Sequence, residues 1–223
     1  MRENTEAIEV KGGAIPTSLM APEDPSGVPA LVVIPSIFGV APDLLRRLSE
    51  LADRALIAVP DPFWRLGGGV VPYSDHEGAI SRLKGFEMDR CIADLDSVVD
   101  WVKARSNGHV IGLGICFGGP FALRFASNQR VDGIVTWHGS RMEGHLERAS
   151  EITCPVRMHF GSADPVTPPD VIETISSAFS SHPDLSIVVH PGAVHGFSHD
   201  GAAYDEVACQ AGIEAVEELI ERF

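Results

Sequence analysis

The sequence predicts an α/β protein with a mostly parallel central sheet of about seven to eight strands and helices on both faces of the sheet. Short apolar, β-branched runs recur along the 223 residues, and most are followed by a turn and a segment of helical periodicity. Hydrophobic residues make up 44% of the chain and charged residues 22%, which is typical of a globular protein with a buried core. No repeat, low-complexity segment or interdomain linker interrupts this pattern, so we predict a single domain over residues 1–223.

The individual elements follow from the hydrophobic periodicity. Residues 30–35 (ALVVIP) form an uninterrupted apolar run that is typical of a fully buried strand. Residues 60–75 are rich in glycine and proline, which predicts a long surface loop of the kind that often shapes a binding site. The other predicted strands are residues 55–59, 109–115, 133–137, 155–160 and 185–190. The predicted helices are residues 42–54, 87–105, 117–127, 168–181 and 202–223.

The composition narrows the class of function. A formal net charge of −14 without clustered Lys and Arg disfavours a nucleic-acid partner. No stretch reaches the roughly 18 apolar residues of a membrane helix, and the first residues show no basic region followed by an apolar run. We therefore expect a soluble, cytoplasmic protein, a monomer or homodimer, that acts on a small molecule. No phosphate-binding loop of a nucleotide-dependent enzyme is present, so no cofactor is predicted.

Cys116 lies where a predicted strand ends and a predicted helix begins. The segment Gly114-Ile-Cys-Phe-Gly118 matches the G-x-nucleophile-x-G elbow, with cysteine in the nucleophile position. Its two glycines have no Cβ to clash with the neighbouring strand and helix. The dipole and free amides of a helix N-terminus would also favour a thiolate over a thiol. Taken alone, the pattern is equally consistent with an inert buried cysteine.

Two later segments favour a catalytic role for this cysteine. Asp164 in FGSADP follows one predicted strand, and His195 in HPGAVHGF follows the next. Each residue alone has an ordinary structural explanation, as a turn-capping aspartate or a structural histidine. Together with Cys116, however, they reproduce the nucleophile, acid, histidine order of α/β-hydrolases. The sequence therefore predicts an α/β-hydrolase fold with a triad of Cys116, Asp164 and His195.

The chain resembles the dienelactone hydrolase family, whose members carry a cysteine in the elbow where most α/β-hydrolases carry serine. The resemblance extends over almost the whole sequence and rests on the spaced motifs IPSIFGV, PDPFW, GFEMDRCIADLDSVVDWV, GLGICFGG, HFGSADPVTP and HPGAVHGF. It implies a hydrolase that opens a lactone or cleaves a small carboxylic ester, similar to dienelactone hydrolase (carboxymethylenebutenolidase).

The resemblance also implies a role for each site residue. Cys116 would be the nucleophile, His195 the base and then the acid, and Asp164 the group that orients the imidazole and balances its charge. The oxyanion would be bound by the backbone N–H groups of Phe117 and Ile37.

This sequence departs from the family at the residue that activates the cysteine. The best-known members carry a glutamate where this chain has Ser36. That glutamate interacts with the cysteine and takes part in its activation when the substrate arrives. Because serine cannot hold a charge, we predict that Cys116 forms a thiolate ion pair with His195 even without substrate.

The substrate anchors differ as well. Members specific for dienelactone hold the substrate carboxylate with two arginines, and His76 and His199 fall at those positions here. Histidine binds a carboxylate weakly at neutral pH because its unperturbed pKa is near ~6.5. Arg82 and Arg141 are the nearest candidates for a replacement anchor, although Arg82 is also consistent with a solvated helix face.

Aromatic residues are further candidates for the walls of the substrate pocket. Trp137 and His138 end a predicted strand and would line the pocket, but packing in the core explains such residues equally well. The aromatic residues expected beside them are Phe38, Phe63 and Trp64.

Metal binding and disulfide formation are not predicted. His190, His195 and His199 lack cysteine or carboxylate companions at a recognised ligand spacing. The cysteines lie far apart with no C-x-x-C, and those outside the elbow are expected to be small packing residues. These three are Cys91, Cys154 and Cys209.

Two alternative functions remain open at this point. A general carboxylesterase or thioesterase would use the same triad on a different substrate. A non-catalytic homologue would use Cys116 to sense oxidants or to bind a ligand. Ester turnover that depends on Cys116 distinguishes an enzyme from a sensor, because a sensor reacts once with peroxide and turns over nothing.

Overall fold

The structure of the protein, a computed structural model, describes residues 2–223. The chain divides into two compact units, the first ending at Val110 and the second comprising Ile111–Phe223. The described residues form eight strands and six α-helices. After the first two strands, strands and helices alternate along most of the chain, although only 3₁₀ turns lie between the sixth strand and the seventh.

The first unit contains four strands and three helices. Its strands are β1 (Arg2–Val10), β2 (Gly13–Ala21), β3 (Ala30–Ile34) and β4 (Leu56–Pro60), and its helices are α1 (Pro42–Leu48), α2 (His76–Ser81) and α3 (Met88–Lys103). The strands lie in the order β1-β2-β4-β3. Strand β2 is antiparallel to both β1 and β4, whereas β3 and β4 are parallel.

The β1–β2 hairpin was not predicted from the sequence. In β1, from residue 4 onward, Ile8 is buried while most of the other side chains are exposed, so the strand has no clear apolar pattern. Pro16 lies inside β2, and proline usually argues against a strand. A two-residue turn with Gly12 at a φ of 83° joins the two strands.

The predicted core strands and the long helix of the first unit are present. All five residues of β3 and of β4 are buried, as expected for strands covered on both faces. Helix α3 packs against β1, β3 and β4. Helix α1 is shorter than predicted because a 3₁₀ turn, Ser49–Leu51, follows it, and the hydroxyl of Ser49 donates to the carbonyl oxygen of Arg46.

The second unit contains four parallel strands and three helices. The strands are β5 (Val110–Ile115, which begins one residue before the boundary), β6 (Gly133–Trp137), β7 (Val156–Gly161) and β8 (Leu185–His190), and the helices are α4 (Gly119–Ser127), α5 (Pro169–Ala178) and α6 (Glu206–Arg222). The strands lie in the order β5-β6-β7-β8, with every neighbouring pair parallel. Helices α4 and α6 both pack against β6.

Capping side chains determine where two helices begin. Asp205 precedes α6, and its carboxylate accepts a hydrogen bond from the backbone N–H of Ala208, so the helix starts four residues later than predicted. Asp75 caps α2 in the same way, through Gly78. Helix α2 was not predicted, because six residues are too few for a periodic pattern. Within residues 2–223, no helix is long and apolar enough to cross a membrane.

Candidate active site

Cys116 lies on the sharp turn between β5 and α4. Its φ of 51° is in the left-handed region, which is uncommon for a residue with a side chain. A 3₁₀ turn, Cys116–Gly118, leads directly into α4. A Cβ on Gly114 would lie 2.4 Å from the carbonyl oxygen of Gly118, so this turn requires glycine at Gly114. The geometry is that of the elbow that the G-x-C-x-G pattern predicts.

Asp164 and His195 lie on the loops that follow β7 and β8, and a backbone hydrogen bond joins these two loops. The backbone N–H of Ala163 donates to the carbonyl oxygen of Ala193, at 3.0 Å. A Cβ on Gly161 would meet that same carbonyl at 2.2 Å, so the absence of a side chain there allows the close approach. The two loops therefore hold the carboxylate and the imidazole at a defined separation.

The three predicted catalytic side chains come together in the second unit. The Oδ2 atom of Asp164 lies 2.7 Å from Nδ1 of His195, and Nε2 of His195 lies 3.0 Å from Sγ of Cys116. The other carboxylate oxygen of Asp164 accepts hydrogen bonds from the backbone N–H groups of Val166 and Thr167. The carboxylate is thereby held in place from both sides.

The surroundings of His195 favour its charged form. Burial lowers the pKa of His195, but its hydrogen bonds with Asp164 and Cys116, together with the negative charges of these partners, outweigh burial and raise the pKa to about 10. His195 is therefore an imidazolium at neutral pH. An imidazolium 3.0 Å from a sulfur atom is the partner that stabilises a thiolate.

His138 is a second histidine beside the nucleophile. It is fully buried, its φ is 39°, and its ring centroid lies 5.0 Å from that of His195. Its Nε2 lies 2.8 Å from the hydroxyl of Ser198, whereas its buried Nδ1 has no hydrogen-bond partner among residues 2–223. Burial foremost, and then the charges of His199 and His195, lower the pKa of His138 well below its ordinary value. His138 is therefore neutral.

Ser140 also adjoins the nucleophile, although it is not among the site residues predicted from the sequence. Its backbone N–H donates to the carbonyl oxygen of Cys116, and its Oγ lies 3.7 Å from Sγ of Cys116. The sequence signal was weak, because the residue is marked only by its place just after β6. Such a position becomes informative once the strand order is known.

Three predicted site residues of the first unit lie in or beside the turn after β3. The buried Ser36 uses its hydroxyl oxygen to accept a hydrogen bond from the backbone N–H of Phe38, at 3.4 Å, within its own turn. Ile37 lies between them. His76 is exposed and packs its ring edge-on against Phe38, with 5.2 Å between the ring centroids.

Arg82, a candidate anchor for the substrate carboxylate, makes its contacts with other residues of the first unit. Its guanidinium donates to the carbonyl oxygens of Gly69, at 2.8 Å, and Ile37, at 3.5 Å. It also lies over the ring of Phe63, 4.2 Å from the ring centroid. These contacts give Arg82 a role in holding two loop segments together.

The structure gives three of the predicted pocket aromatics packing roles. Trp137 is fully buried, and its ring fills the space left by the missing side chain of Gly212 in α6. Phe63 is fully buried beneath Arg82. The indole N–H of Trp64 donates to the buried carboxylate of Asp94. The environment of Trp137 is therefore that of a residue packed in the core, which is the alternative to a role in lining the pocket.

Arg141, the other candidate anchor, is exposed. It follows Ser140 directly, its φ is 57°, and its guanidinium makes no hydrogen bond or ion pair with the residues the structure describes. His199 is half-buried, with its ring centroid 5.1 Å from that of His138. Phe117 follows Cys116 in the 3₁₀ turn.

Two of the remaining cysteines differ from the nucleophile in their surroundings. Burial raises the pKa of Cys91 to about 12 and that of Cys154 to about 11. Both thiols are therefore protonated at neutral pH. This agrees with their expected role as small packing residues.

The arrangement is that of an α/β-hydrolase site. A strand leads through a sharp turn, which carries the cysteine, into a helix, and two later loops carry the carboxylate and the histidine. The structure is similar over its whole length to a provisionally assigned dienelactone hydrolase of Klebsiella pneumoniae, with a TM-score of 0.87 at 23% identity and coverage of 100% of this chain and 99% of that one. It is also similar to a dienelactone hydrolase-like promiscuous phosphotriesterase from metagenomic libraries, with a TM-score of 0.82, 22% identity and coverage of 99% and 98%. These similarities confirm the predicted fold class.

Sequence comparison identifies the family. The model of the dienelactone hydrolase family matches residues 15–223. A carboxymethylenebutenolidase of a Pseudomonas species is 28% identical over 189 residues, which are 81% of this chain and 79% of that protein. The chain belongs to the dienelactone hydrolase family, and it is a hydrolase that acts on esters or lactones.

Proposed function

We propose that the protein hydrolyses a lactone or small carboxylic ester through a covalent intermediate on Cys116, with His195 and Asp164 completing a catalytic triad. One observation carries this proposal. The carboxylate, imidazole and sulfur are joined in a chain by contacts of 2.7 Å and 3.0 Å. This is the relationship of orienting group, base and nucleophile that acyl transfer requires.

The reaction follows from the protonation states of the two partners. The Cys116 thiolate attacks the carbonyl carbon, and the carbonyl oxygen becomes an oxyanion. When the tetrahedral intermediate collapses, the C–O bond to the alcohol or enol breaks, and His195 donates a proton to the departing oxygen. His195, now neutral, removes a proton from water, which attacks the thioester and releases the acid and the thiolate.

The oxyanion needs backbone donors at the elbow. The N–H of Phe117 follows the nucleophile directly and is the first candidate, because the residue after an elbow nucleophile supplies this group in α/β-hydrolases. The N–H of Ile37 remains a prediction from the sequence. Asp164 stabilises the imidazolium through its 2.7 Å contact with Nδ1.

Arg141 is the better candidate for binding an anionic substrate. Arg82 is occupied by two backbone carbonyls, whereas the exposed guanidinium of Arg141 has no partner among the described residues. Arg141 adjoins Ser140, whose hydroxyl lies 3.7 Å from the sulfur of Cys116. We propose a lactone that carries a carboxylate as the substrate, as the name of the carboxymethylenebutenolidase relative suggests.

Steady-state hydrolysis of a dienelactone and of p-nitrophenyl acetate tests both parts of the proposal. We expect Cys116→Ala to abolish turnover of both substrates. We expect Arg141→Ala to raise the KM for the dienelactone about tenfold, and more than it raises the KM for the acetate, because a charge-assisted hydrogen bond is lost. Arg90→Ala is the matched control, because Arg90 is an exposed arginine on α3 of the first unit.

Each other result points to a different function. Turnover of the acetate alone would retain the cysteine mechanism and favour a general carboxylesterase or thioesterase. Activity that persists in Cys116→Ala would contradict the triad. If neither ester is turned over and Cys116 reacts once with peroxide, the result would favour the redox-sensing alternative.

We also propose, from the sequence, that residues 1–223 act as one catalytic domain in the cytoplasm, as a monomer or homodimer without a nucleic-acid partner. The family match across residues 15–223 supports a single functional module. The net charge of −14 supports the absence of a nucleic-acid partner.

A further inference from the structure

We infer that Cys116, His138 and His195 together form a binding site for a soft divalent metal ion such as Zn²⁺, and that the bound ion switches the hydrolase off. The sulfur of Cys116 and one ring nitrogen of each histidine all lie within 4.8 Å of one another. This set differs from the three histidines considered from the sequence, because His138 and Cys116 replace His190 and His199. The inference concerns the same thiolate as the proposed function.

The donor atoms suit zinc and similar ions. A thiolate and two neutral imidazoles form a ligand set that zinc prefers, and in a tetrahedral site such donors lie roughly 3.3–3.8 Å apart. The sulfur of Cys116 and Nε2 of His195 are 3.0 Å apart, so they need to separate by less than about an ångström to admit the ion. Three protein ligands leave the fourth position for water or for a carboxylate.

Both histidines are oriented by groups outside the ligand set. Nδ1 of His195 forms a hydrogen bond with the carboxylate of Asp164, which leaves Nε2 to face the sulfur. Nε2 of His138 forms a hydrogen bond with the hydroxyl of Ser198, which leaves Nδ1 available to bind a metal ion. In metal sites of proteins the far nitrogen of a ligating histidine usually donates to a carboxylate, a backbone carbonyl or a water molecule, and the hydroxyl oxygen of Ser198 can accept in the same way.

A second, independent observation comes from His138. Its side chain is fully buried, and its Nδ1 has no hydrogen-bond partner among the described residues. Buried polar atoms are normally paired, so an unpaired nitrogen on a histidine that has a ring nitrogen within 4.8 Å of two other donors indicates a site for a ligand. His138 has no place in the proposed reaction, which uses Cys116, His195 and Asp164. Binding of a metal ion gives this nitrogen a partner.

Metal binding replaces a proton and involves no redox change. The ion forms one bond to the thiolate sulfur and one to a nitrogen of each histidine, and the proton on Nε2 of His195 is released to solvent. The sulfur lone pair is then engaged by the metal and can no longer attack a carbonyl. Hydrolysis stops until the ion dissociates or is removed by a chelator.

Titration of the metal-free protein with Co²⁺ and Zn²⁺ tests this inference without any substrate. We expect one Co²⁺ per chain to bind and to produce a thiolate-to-cobalt charge-transfer band, which Zn²⁺ then displaces. We expect Cys116→Ser to lose the band. We expect His138→Gln to weaken the binding of Co²⁺ by a factor of about 10 to 100. His145→Gln, on the half-buried histidine that ends a 3₁₀ turn after β6, is the control and should bind like the wild type.

A complementary measurement on the wild type avoids the risk that His138→Gln fails to fold. Zn²⁺ should protect Cys116 from alkylation, and a chelator should restore the rate. The inference is overturned if no charge-transfer band appears, or if a folded His138→Gln variant binds Co²⁺ as tightly as the wild type. Because these readouts require no ester, a protein that binds the metal but turns over no ester would refute the proposed function alone.

Discussion

The Nε2 atom of His195 lies 3.0 Å from the sulfur of Cys116, and the pKa of His195 is raised to about 10. The raised pKa means that the proton is on the imidazole across the neutral range. In the best-known members of the family, a glutamate at the position of Ser36 takes part in activating the cysteine when the substrate arrives. Here the imidazolium supplies a positive charge beside the sulfur in the resting protein, which supports an ion pair that exists before the substrate binds.

The first prediction concerns the reactivity of Cys116. We expect iodoacetamide to alkylate it at a rate that changes little across the neutral pH range, because the proposed ion pair with His195 holds the sulfur as a thiolate. His195→Gln should slow the neutral rate about tenfold or more, because an unperturbed thiol is only a few per cent ionised there. Peptide mapping separates Cys116 from Cys91 and Cys154, whose raised pKa values keep them unreactive. A wild-type rate that follows the pH profile of an ordinary cysteine would refute the ion pair.

The second prediction concerns stability as a function of pH. The pKa of His195 is about 10 in the folded protein and near ~6.5 in an unfolded chain. Its charged form therefore stabilises the folded state fully below about pH 6.5, and this contribution is lost as the pH rises through about 10. We expect the difference in unfolding free energy between the wild type and His195→Gln to shrink over this range in denaturant titrations. A difference that grows with pH would contradict the assignment.

The third prediction concerns Asp164. In Asp164→Asn the side-chain oxygen can still accept hydrogen bonds from the loop amides of Val166 and Thr167, but the charge beside His195 is lost. We expect kcat to fall on the order of 10²–10⁴-fold, because the imidazolium loses its partner and its fixed orientation. Asp170→Asn, at an exposed position in the first turn of α5, is the control. Near-normal kcat in Asp164→Asn would remove this residue from the triad.

The fourth prediction concerns the elbow glycine. In Gly114→Ala the new Cβ would lie 2.4 Å from the backbone carbonyl oxygen of Gly118, which has no flexible side chain to move aside. We expect a loss of about 1–3 kcal/mol in unfolding free energy and slower alkylation of Cys116, because the turn must shift. Gly144→Ala has nothing within 4 Å of its new Cβ and should leave both quantities close to those of the wild type. Equal effects of the two substitutions would argue against steric control of the elbow.

The core strands could be predicted from the sequence, and the residues proposed for the triad could be picked out from it, because both are marked by local patterns. Fully buried strands are recognisable as continuous apolar runs, and the elbow is marked by glycines two residues to either side of Cys116. The β1–β2 hairpin escaped prediction because its outer strand is mostly exposed and its inner strand contains Pro16.

The environments of the other candidate site residues were harder to predict because they depend on contacts between distant parts of the chain. The hydrogen bonds of Arg82 become evident only when the structure shows the carbonyl oxygens of Ile37 and Gly69 beside its guanidinium. The burial of His138 and its bond to Ser198 join residues 60 positions apart. No periodicity encodes such a contact.

Intact-mass spectrometry of the protein, quenched in acid during turnover of p-nitrophenyl acetate, tests most directly whether Cys116 is the nucleophile. We expect an added acetyl group, which peptide mapping locates on Cys116 and which is absent in Cys116→Ala. We expect the adduct to accumulate in Asp164→Asn if the hydrolysis of the thioester is slowed more than its formation. Turnover without an adduct on Cys116, or turnover that persists in Cys116→Ala, would contradict the proposal that this cysteine is the nucleophile.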